Sequence, residues 1–153
     1  MNSSSEFPTH GCLVGLDYGS KRVGVAVCDS GQSIGTPLKV LQQDHSIIRH
    51  LKGIAEEYAA TGLVVGLPVH MSGDEGEKAK LARQFGTEVA TALGLPIVYH
   101  DERFTSKQAD SAMAAAGLSR DKRKARIDMV AAQLMLQAFL DSDRTETPPP
   151  SLS

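Results

Sequence analysis

Three carboxylates stand at positions where the sequence pattern does not predict an ordinary solvent-exposed surface. Asp17 ends an apolar run at residues 13–16, Glu102 follows the last strand-like segment, and Asp128 borders the apolar stripe of a long helical segment. A carboxylate in an apolar surrounding is costly unless it has a partner or binds a cation. Three carboxylates from separate elements, brought to one edge of a sheet, would form an all-oxygen site suited to Mg²⁺ or Mn²⁺.

Asp17 lies at the carboxyl end of the segment that we expect to form the central strand. Ligand sites in α/β sheets gather at such strand ends. Gly15 and Gly19 on either side would let a phosphate or another backbone approach. The alternative is that Asp17 only forms the turn after the strand.

Asp101 and Glu102 are adjacent, so on a strand they point to opposite faces and only one of them can readily join a site. Which of the two does so is left open by the sequence. Two structural roles compete: either carboxylate could pair with Arg103, or Asp101 could stabilise the N-terminus of the following helix.

Asp128 borders the stripe predicted for its helix, one turn before Ala131 and Ala132. The predicted stripe consists of Ile127, Val130, Ala131, Leu134 and Ala138. Small residues there would let the helix lie close to the sheet, and a carboxylate at such a packed edge needs a partner or a cation.

Basic residues are concentrated just before Asp128, at the start of the same helix. They are Arg120, Lys122, Arg123, Lys124 and Arg126. Such a charge run is ordinarily a solvated face, but cations at a helix N-terminus oppose the helix dipole, which makes phosphate binding a serious alternative. Lys21, Arg22, Arg103 and Lys107 would extend this patch if their loops face the same way. Together with two cations, the site would meet the requirements of phosphodiester hydrolysis.

The elements that must position these residues follow from periodicity. Strands are predicted at residues 12–17, 23–29, 34–41, 63–67 and 96–100, with Pro37 placing the third at an edge of the sheet. Helices are predicted after an N-cap at Asp44, after a glycine-rich loop at 68–76, at 105–117 and at 120–141. The second helix should present Leu81, Phe85, Val89, Ala92 and Leu93 on one face. This order predicts an α/β fold, a five-stranded mixed sheet flanked by helices on both faces.

Length and composition exclude several classes of protein. The 153 residues suit one domain, expected at 11–141, with disordered tails at 1–10 and 142–153. A net charge of −2 argues against a generally basic coat, so phosphate contacts must come from a local patch. No apolar run approaches the roughly 18 residues of a membrane span, and no signal peptide is visible, so we expect a cytoplasmic protein without a membrane partner.

We expect the two cysteines, Cys12 and Cys28, to be buried free thiols. If their strands pair, the two could also be neighbours that form a disulfide. The two cysteines and the five histidines of the chain are not spaced as the ligands of a zinc site. Motifs of P-loop, dinucleotide-binding and serine-hydrolase proteins are absent from the sequence.

Four segments resemble one family in the right order over roughly residues 12–141. They are residues 15–26, residues 65–68 with Met71 and Gly73, residues 101–106, and Asp128 with Ala131 and Ala132. They resemble the YqgF family, also called RuvX or the pre-16S rRNA nuclease family. The resemblance implies a ribonuclease H-like fold related to the RuvC resolvases, with acidic positions at Asp17, Glu102 and Asp128. It also implies trimming of the 5′ end of precursor 16S rRNA, or a resolvase-like action on branched DNA.

The resulting hypothesis is a Mg²⁺- or Mn²⁺-dependent nuclease acting on structured RNA or branched DNA, as a monomer or a homodimer. Asp17 would bridge two metal ions, while Glu102 and Asp128 would each complete one coordination shell. Two other classes compete: an ATP-binding module of the actin and hexokinase type, which needs two such domains, and a non-catalytic RNA-binding factor in ribosome assembly.

Overall fold

The computed structural model describes residues 7–67, 76–101 and 120–142, and in the last segment it describes side chains from Ile127 onward. The elements are β1 (Leu13–Tyr18), β2 (Arg22–Cys28), β3 (Gly35–Gln42), α1 (Ile47–Glu57), β4 (Gly62–Leu67), α2 (Glu77–Leu93), β5 (Ile97–Asp101) and α3 (Arg120–Asp141). Each predicted strand is confirmed to within one residue. The helix predicted at 105–117 lies outside the described residues, as does the loop at 68–76 except for Gly76.

The five strands form one mixed sheet in the order β3-β2-β1-β4-β5. The short connections between β1, β2 and β3 produce antiparallel pairs, whereas the helical crossovers before β4 and β5 produce parallel ones. The predicted mixed sheet and the central place of β1 are therefore confirmed.

Strand β3 lies at an edge of the sheet, as Pro37 predicted. Its pairing with β2 shifts between Val25 and Ala26, which face Lys39 and Pro37 and leave Leu38 in a bulge. A proline has no N–H to donate, and an edge strand with a bulge can accommodate it.

The sheet is covered on both faces, which confirms the layered architecture. On one face, α1 and α2 pack on a cluster that includes Val14, Leu16, Val25, Leu51 and Phe85. On the other face, α3 packs on Leu13, Ala26 and Val64 through Ala132, Met135, Leu136 and Phe139. Because side chains alternate along a strand, Gly15 and Asp17 belong to the α3 face.

The buried side of α3 differs from the predicted stripe. Ala131 is buried as predicted, but Ala138 is exposed and Leu134 only half-buried, whereas the unpredicted Met135 is fully buried. Apolar residues surround much of this helix, so periodicity alone does not select the side that meets the sheet. Asp128 is in line with Ala132, Met135 and Phe139 (spacings of 4, 7 and 11), so it belongs to the buried face rather than its border.

The predicted start of α1 is also corrected. Its N-cap is Ser46, not Asp44. The Asp44 carboxylate instead accepts hydrogen bonds from the Ser46 backbone N–H at 2.9 Å and hydroxyl at 2.7 Å, forming a turn before the helix. These two bonds hold the pKa of the Asp44 carboxyl below its usual value, and the bond from the hydroxyl contributes most.

In α2, Phe85 and Val89 are buried as predicted, but Ala92 is exposed. The buried face continues instead through Ala79 and Ala82. Small residues let this helix approach the sheet closely, and a pattern based on large apolar residues overlooks them.

The cysteines are buried free thiols, as favoured from composition, and the disulfide alternative is wrong. Cys12 packs with the cluster under α1 and α2, whereas Cys28 packs with the cluster under α3. Their strands do pair, but the two side chains point to opposite faces of the sheet.

Packing reaches beyond the predicted start of the domain at residue 11. The ring of Phe7 meets Phe139 edge to face, with centroids 5.8 Å apart. Residues 143–153 lie outside the described part of the chain. Within that part, no helix is both long enough and apolar enough to cross a membrane.

Two glycines let α3 lie directly on the sheet. A Cβ at Gly24 would overlap the carbonyl group of Asp128, and a Cβ at Gly15 would lie only 3.0 Å from the Leu136 Cβ. The approach at Gly24 fixes the height of Asp128 above β2.

The Gly24→Ala substitution should therefore push α3 away and lower the free energy of unfolding by about 1–3 kcal/mol. Gly53→Ala is the matched control, because Gly53 lies within α1 with nothing within 4 Å of an added Cβ. It should raise stability by roughly 0.5–1 kcal/mol through better helix propensity. Urea unfolding monitored by circular dichroism measures both, and equal effects of the two substitutions would contradict the close packing at Gly24.

Candidate active site

Asp17 occupies the middle of the sheet between two residues without side chains. In the strand pairing, Asp17 lies opposite Gly24 of β2 on one side and Gly66 of β4 on the other. Its exposure is 9%, and in the described part of the chain only Asp17 and Gln32 are buried polar side chains. The backbone of Asp128 occupies the space that a Cβ at Gly24 would fill, so α3 lies directly beside Asp17 at the carboxyl end of the central strand.

Asp128 reaches the same place from the helix. Its backbone lies against Gly24, the direct neighbour of Asp17 on the sheet. Its carboxylate Oδ2 accepts a hydrogen bond from the Arg22 Nε–H at 2.8 Å, an ion pair in which the side chain of Arg22 is 32% exposed and that of Asp128 is 25% exposed. The structure thus brings together two of the three predicted carboxylates, and it gives Asp128 the partner that its packed position required.

Strand β5 shows on which face of the sheet Asp101 lies, and this bears on whether Asp101 or Glu102 can join the site. Tyr99 packs with the cluster under α1 and α2, whereas Val98 packs with the α3 cluster. By alternation Asp101, an exposed residue, belongs to the face opposite Asp17. Glu102, Arg103 and Lys107 lie outside the described residues.

The structure shows the positions of some of the predicted basic residues. Helix α3 begins at Arg120, as predicted, and the side chains of its basic cluster at 120–126 are not among those described. Lys21 is exposed in the β1–β2 turn, whereas Arg22 is paired with Asp128.

The β1–β2 turn is held by a residue that the sequence analysis overlooked. Gln43 donates its side-chain amide to the Gly19 carbonyl at 3.0 Å and its backbone N–H to the Lys21 carbonyl at 2.9 Å. A Cβ at Gly19 would overlap the Arg22 carbonyl oxygen. The turn, rather than an approaching phosphate, therefore explains the glycine at position 19.

His100 is a second residue that the sequence analysis missed. It pairs with Gly66, which pairs with Asp17, so the three form one row across the sheet. Its ring lies edge to face with Phe139, 5.9 Å between centroids, on the α3 face. Burial lowers the pKa of His100, and the negative charge of Asp101 opposes this in part. The available signal was a polar residue at the end of the predicted strand, two positions after the apolar pair Ile97 and Val98.

The donor chemistry fits a hard cation. Asp17 and Asp128 supply carboxylate oxygens, the ligands that Mg²⁺ and Mn²⁺ prefer. Across 7–67, 76–101 and 127–142, no three His, Cys, Asp or Glu side chains form a metal-binding group. Of the three predicted carboxylates, the described residues thus include Asp17 and Asp128, which could hold such a cation, whereas Glu102 lies outside them.

The five-stranded mixed sheet with helices on both faces is the fold of the ribonuclease H-like class. The sequence model of the RuvX family, described as Holliday junction resolvase, matches residues 11–142. Relatives named "Putative pre-16S rRNA nuclease" include one from Lactococcus lactis subsp. lactis, 39% identical over 85% of this chain and 94% of that protein. Another, from Sphingopyxis alaskensis, is 39% identical over 91% of this chain and 92% of the relative.

Among solved structures, T. thermophilus RuvC in complex with a Holliday junction substrate shares the fold, with a TM-score of 0.51 and 16% identity. The likeness covers 86% of this chain and 97% of that one. The chain belongs to the RuvX family, and it is a nuclease with a ribonuclease H-like fold.

The Arg22–Asp128 pair should contribute measurably to stability. A double-mutant cycle with Arg22→Met and Asp128→Asn should give a coupling free energy of about 1 kcal/mol, at the upper end for solvent-screened pairs. Urea unfolding in EDTA measures it. Arg49→Met is the control, because Arg49 is exposed on α1 across the sheet and should combine additively with Asp128→Asn. A coupling for Arg22 no larger than that of Arg49 would contradict the pairing.

Proposed function

We propose that this nuclease processes the 5′ end of precursor 16S rRNA in the cytoplasm, where ribosomes are assembled, with a divalent metal ion as cofactor. The observation that carries the chemistry is the buried Asp17 carboxylate between two glycines, with Asp128 on the same face of the sheet. The substrate is proposed from the names of the relatives, which align with nearly the whole chain.

Asp17, Glu102 and Asp128 would hold Mg²⁺ or Mn²⁺, with Asp17 bridging two ions. Nucleases of the RuvC and RuvX kinds generally depend on divalent metal ions. When bound, such ions supply an activated water and stabilise the charge on the leaving oxygen of a phosphodiester. Since Asp101 belongs to the opposite face, strand alternation favours Glu102 over Asp101 as the third ligand.

The basic residues would bind the phosphates of the substrate. Helix α3 starts eight residues before Asp128, and at 1.5 Å per residue its first turns extend about 12 Å from the carboxylates. The cluster at 120–126 would therefore contact phosphates next to the cleavage site, and Lys21 would contact them from the β1–β2 turn. Arg103 and Lys107 would extend the same surface. A local patch of this kind suits a protein with a net charge of −2.

A resolvase-like action on branched DNA is the second candidate, because the family description names a Holliday junction resolvase and the RuvC fold is shared. Cutting two strands symmetrically would require a homodimer, whereas trimming of a single rRNA end can be done by a monomer.

A cleavage panel tests the substrate. It contains precursor 16S rRNA 5′ fragments, an unstructured RNA and a four-way DNA junction, each with Mg²⁺, Mn²⁺ or EDTA. Precursor rRNA should be cut fastest, and only with a divalent ion. Preferred cutting of the junction would replace the rRNA proposal by the resolvase one. Tight RNA binding without cleavage of any substrate would instead support the ribosome-assembly factor.

Asp17→Asn should abolish metal-dependent cleavage while leaving the fold intact, because the amide keeps the shape of the side chain but removes the charge that binds cations. Asp101→Asn is the matched control at the same edge of the sheet, and it should retain cleavage. Gel assays and thermal melts of both variants measure this. Full activity of Asp17→Asn, or loss of activity only in Asp101→Asn, would overturn the site assignment.

A further inference from the structure

Arg22 joins two parts of the molecule that are distant in sequence. It is the first residue of β2, and through Asp128 it links the β1–β2 hairpin to α3 across 106 positions. Arg22 and Gly24 are two positions apart on one strand, so both belong to the face of Asp17 and Asp128. The ion pair thus lies next to the proposed cation site.

Only part of the guanidinium is used in this pair. Its Nε–H donates to Asp128 Oδ2, and within the described part of the chain its two terminal nitrogens make no further hydrogen bond or ion pair. Those two nitrogens carry four N–H donors in a rigid planar fork that matches the oxygens of a phosphate. The side chain is 32% exposed, so a ligand from solvent can reach it.

The Asp128 carboxylate likewise uses only one of its two oxygens in this pair. Arg22 holds Oδ2 of Asp128, and within the described residues Oδ1 has no protein partner. One oxygen of Asp128 is therefore fixed by the arginine while the other remains for a cation.

We propose that Arg22 is a positioning residue that holds Asp128 by Oδ2, so that Oδ1 can bind the cation, and that its terminal nitrogens bind the phosphate to be cleaved. This inference rests on the proposed function. It assigns Arg22 two simultaneous contacts, whereas a phosphate-binding residue alone would have one. The positive charge also offsets the repulsion between a phosphate and the carboxylates Asp17 and Asp128.

Arg22→Lys is the sharpest test, because it keeps the positive charge but loses the planar fork that makes both contacts at once. Isothermal titration with Mn²⁺ alone should show affinity lowered by about 10–100-fold, the range for residues that orient metal ligands. With a substrate that the wild type cleaves, Arg22→Lys should lower kcat by a larger factor than it raises KM. Arg49→Lys is the same exchange on the opposite face, and it should change neither quantity.

A merely structural ion pair predicts a different result. Arg22→Lys would then melt at a lower temperature, with unchanged Mn²⁺ affinity and kcat in the folded protein, and this outcome would overturn the inference while leaving the proposed function standing. If the wild type binds Mn²⁺ but cleaves no nucleic acid, the proposed function fails, and the Mn²⁺ titration still tests how Arg22 acts on Asp128. A wild type that binds no Mn²⁺ overturns both.

A measurement on the wild-type chain keeps the inference testable if Arg22→Lys does not fold. The Arg22 Nε–H resonance, identified by its loss in Arg22→Gln or in Asp128→Asn, is followed during titration with Mg²⁺. It should persist and shift with the same midpoint as metal binding. Loss of the protected resonance on adding Mg²⁺ would mean that the cation displaces Arg22 from Asp128, which contradicts simultaneous contact.

Discussion

The direct contact between α3 and strand β2 at Gly24 is the constraint on which the rest of the site depends. Because Gly24 has no side chain, the backbone of Asp128 can lie where a Cβ would otherwise be. The contact places Asp128 beside Asp17, which pairs with Gly24 on the neighbouring strand. It also brings the Asp128 carboxylate within reach of Arg22. A helix held farther from the sheet would lose all three relationships together.

Charge balance is the second determinant. Carboxylates gathered at the end of a central strand repel each other and lose hydration, so the arrangement needs compensating positive charge. Arg22 supplies part of it at Asp128, and a divalent cation would supply more. This need explains why the chain carries Arg22 on the same face as Asp17 and Asp128, although its net charge is −2.

Much of the fold could be predicted because its signals are local. Strand-like apolar runs and the proline at position 37 are properties of short segments, and the strands they predicted agree with the structure to within one residue. The errors occurred where several faces of a helix were apolar or small, as with Ala138 and Ala92, both exposed. There the choice of face depends on the partner surface rather than on the segment. The N-cap at Ser46 was missed because Asp44 satisfies a neighbouring turn instead.

The order of elements, the family resemblance and the candidate residues Asp17 and Asp128 could all be predicted from the sequence. Which residues share a face became clear only from the packed fold. It put Cys12 and Cys28 on opposite sides of one sheet, and it paired Arg22 with Asp128. The physical reason is that such relationships join segments up to 106 residues apart and depend on how closely a helix packs on a sheet. No local periodicity carries that information.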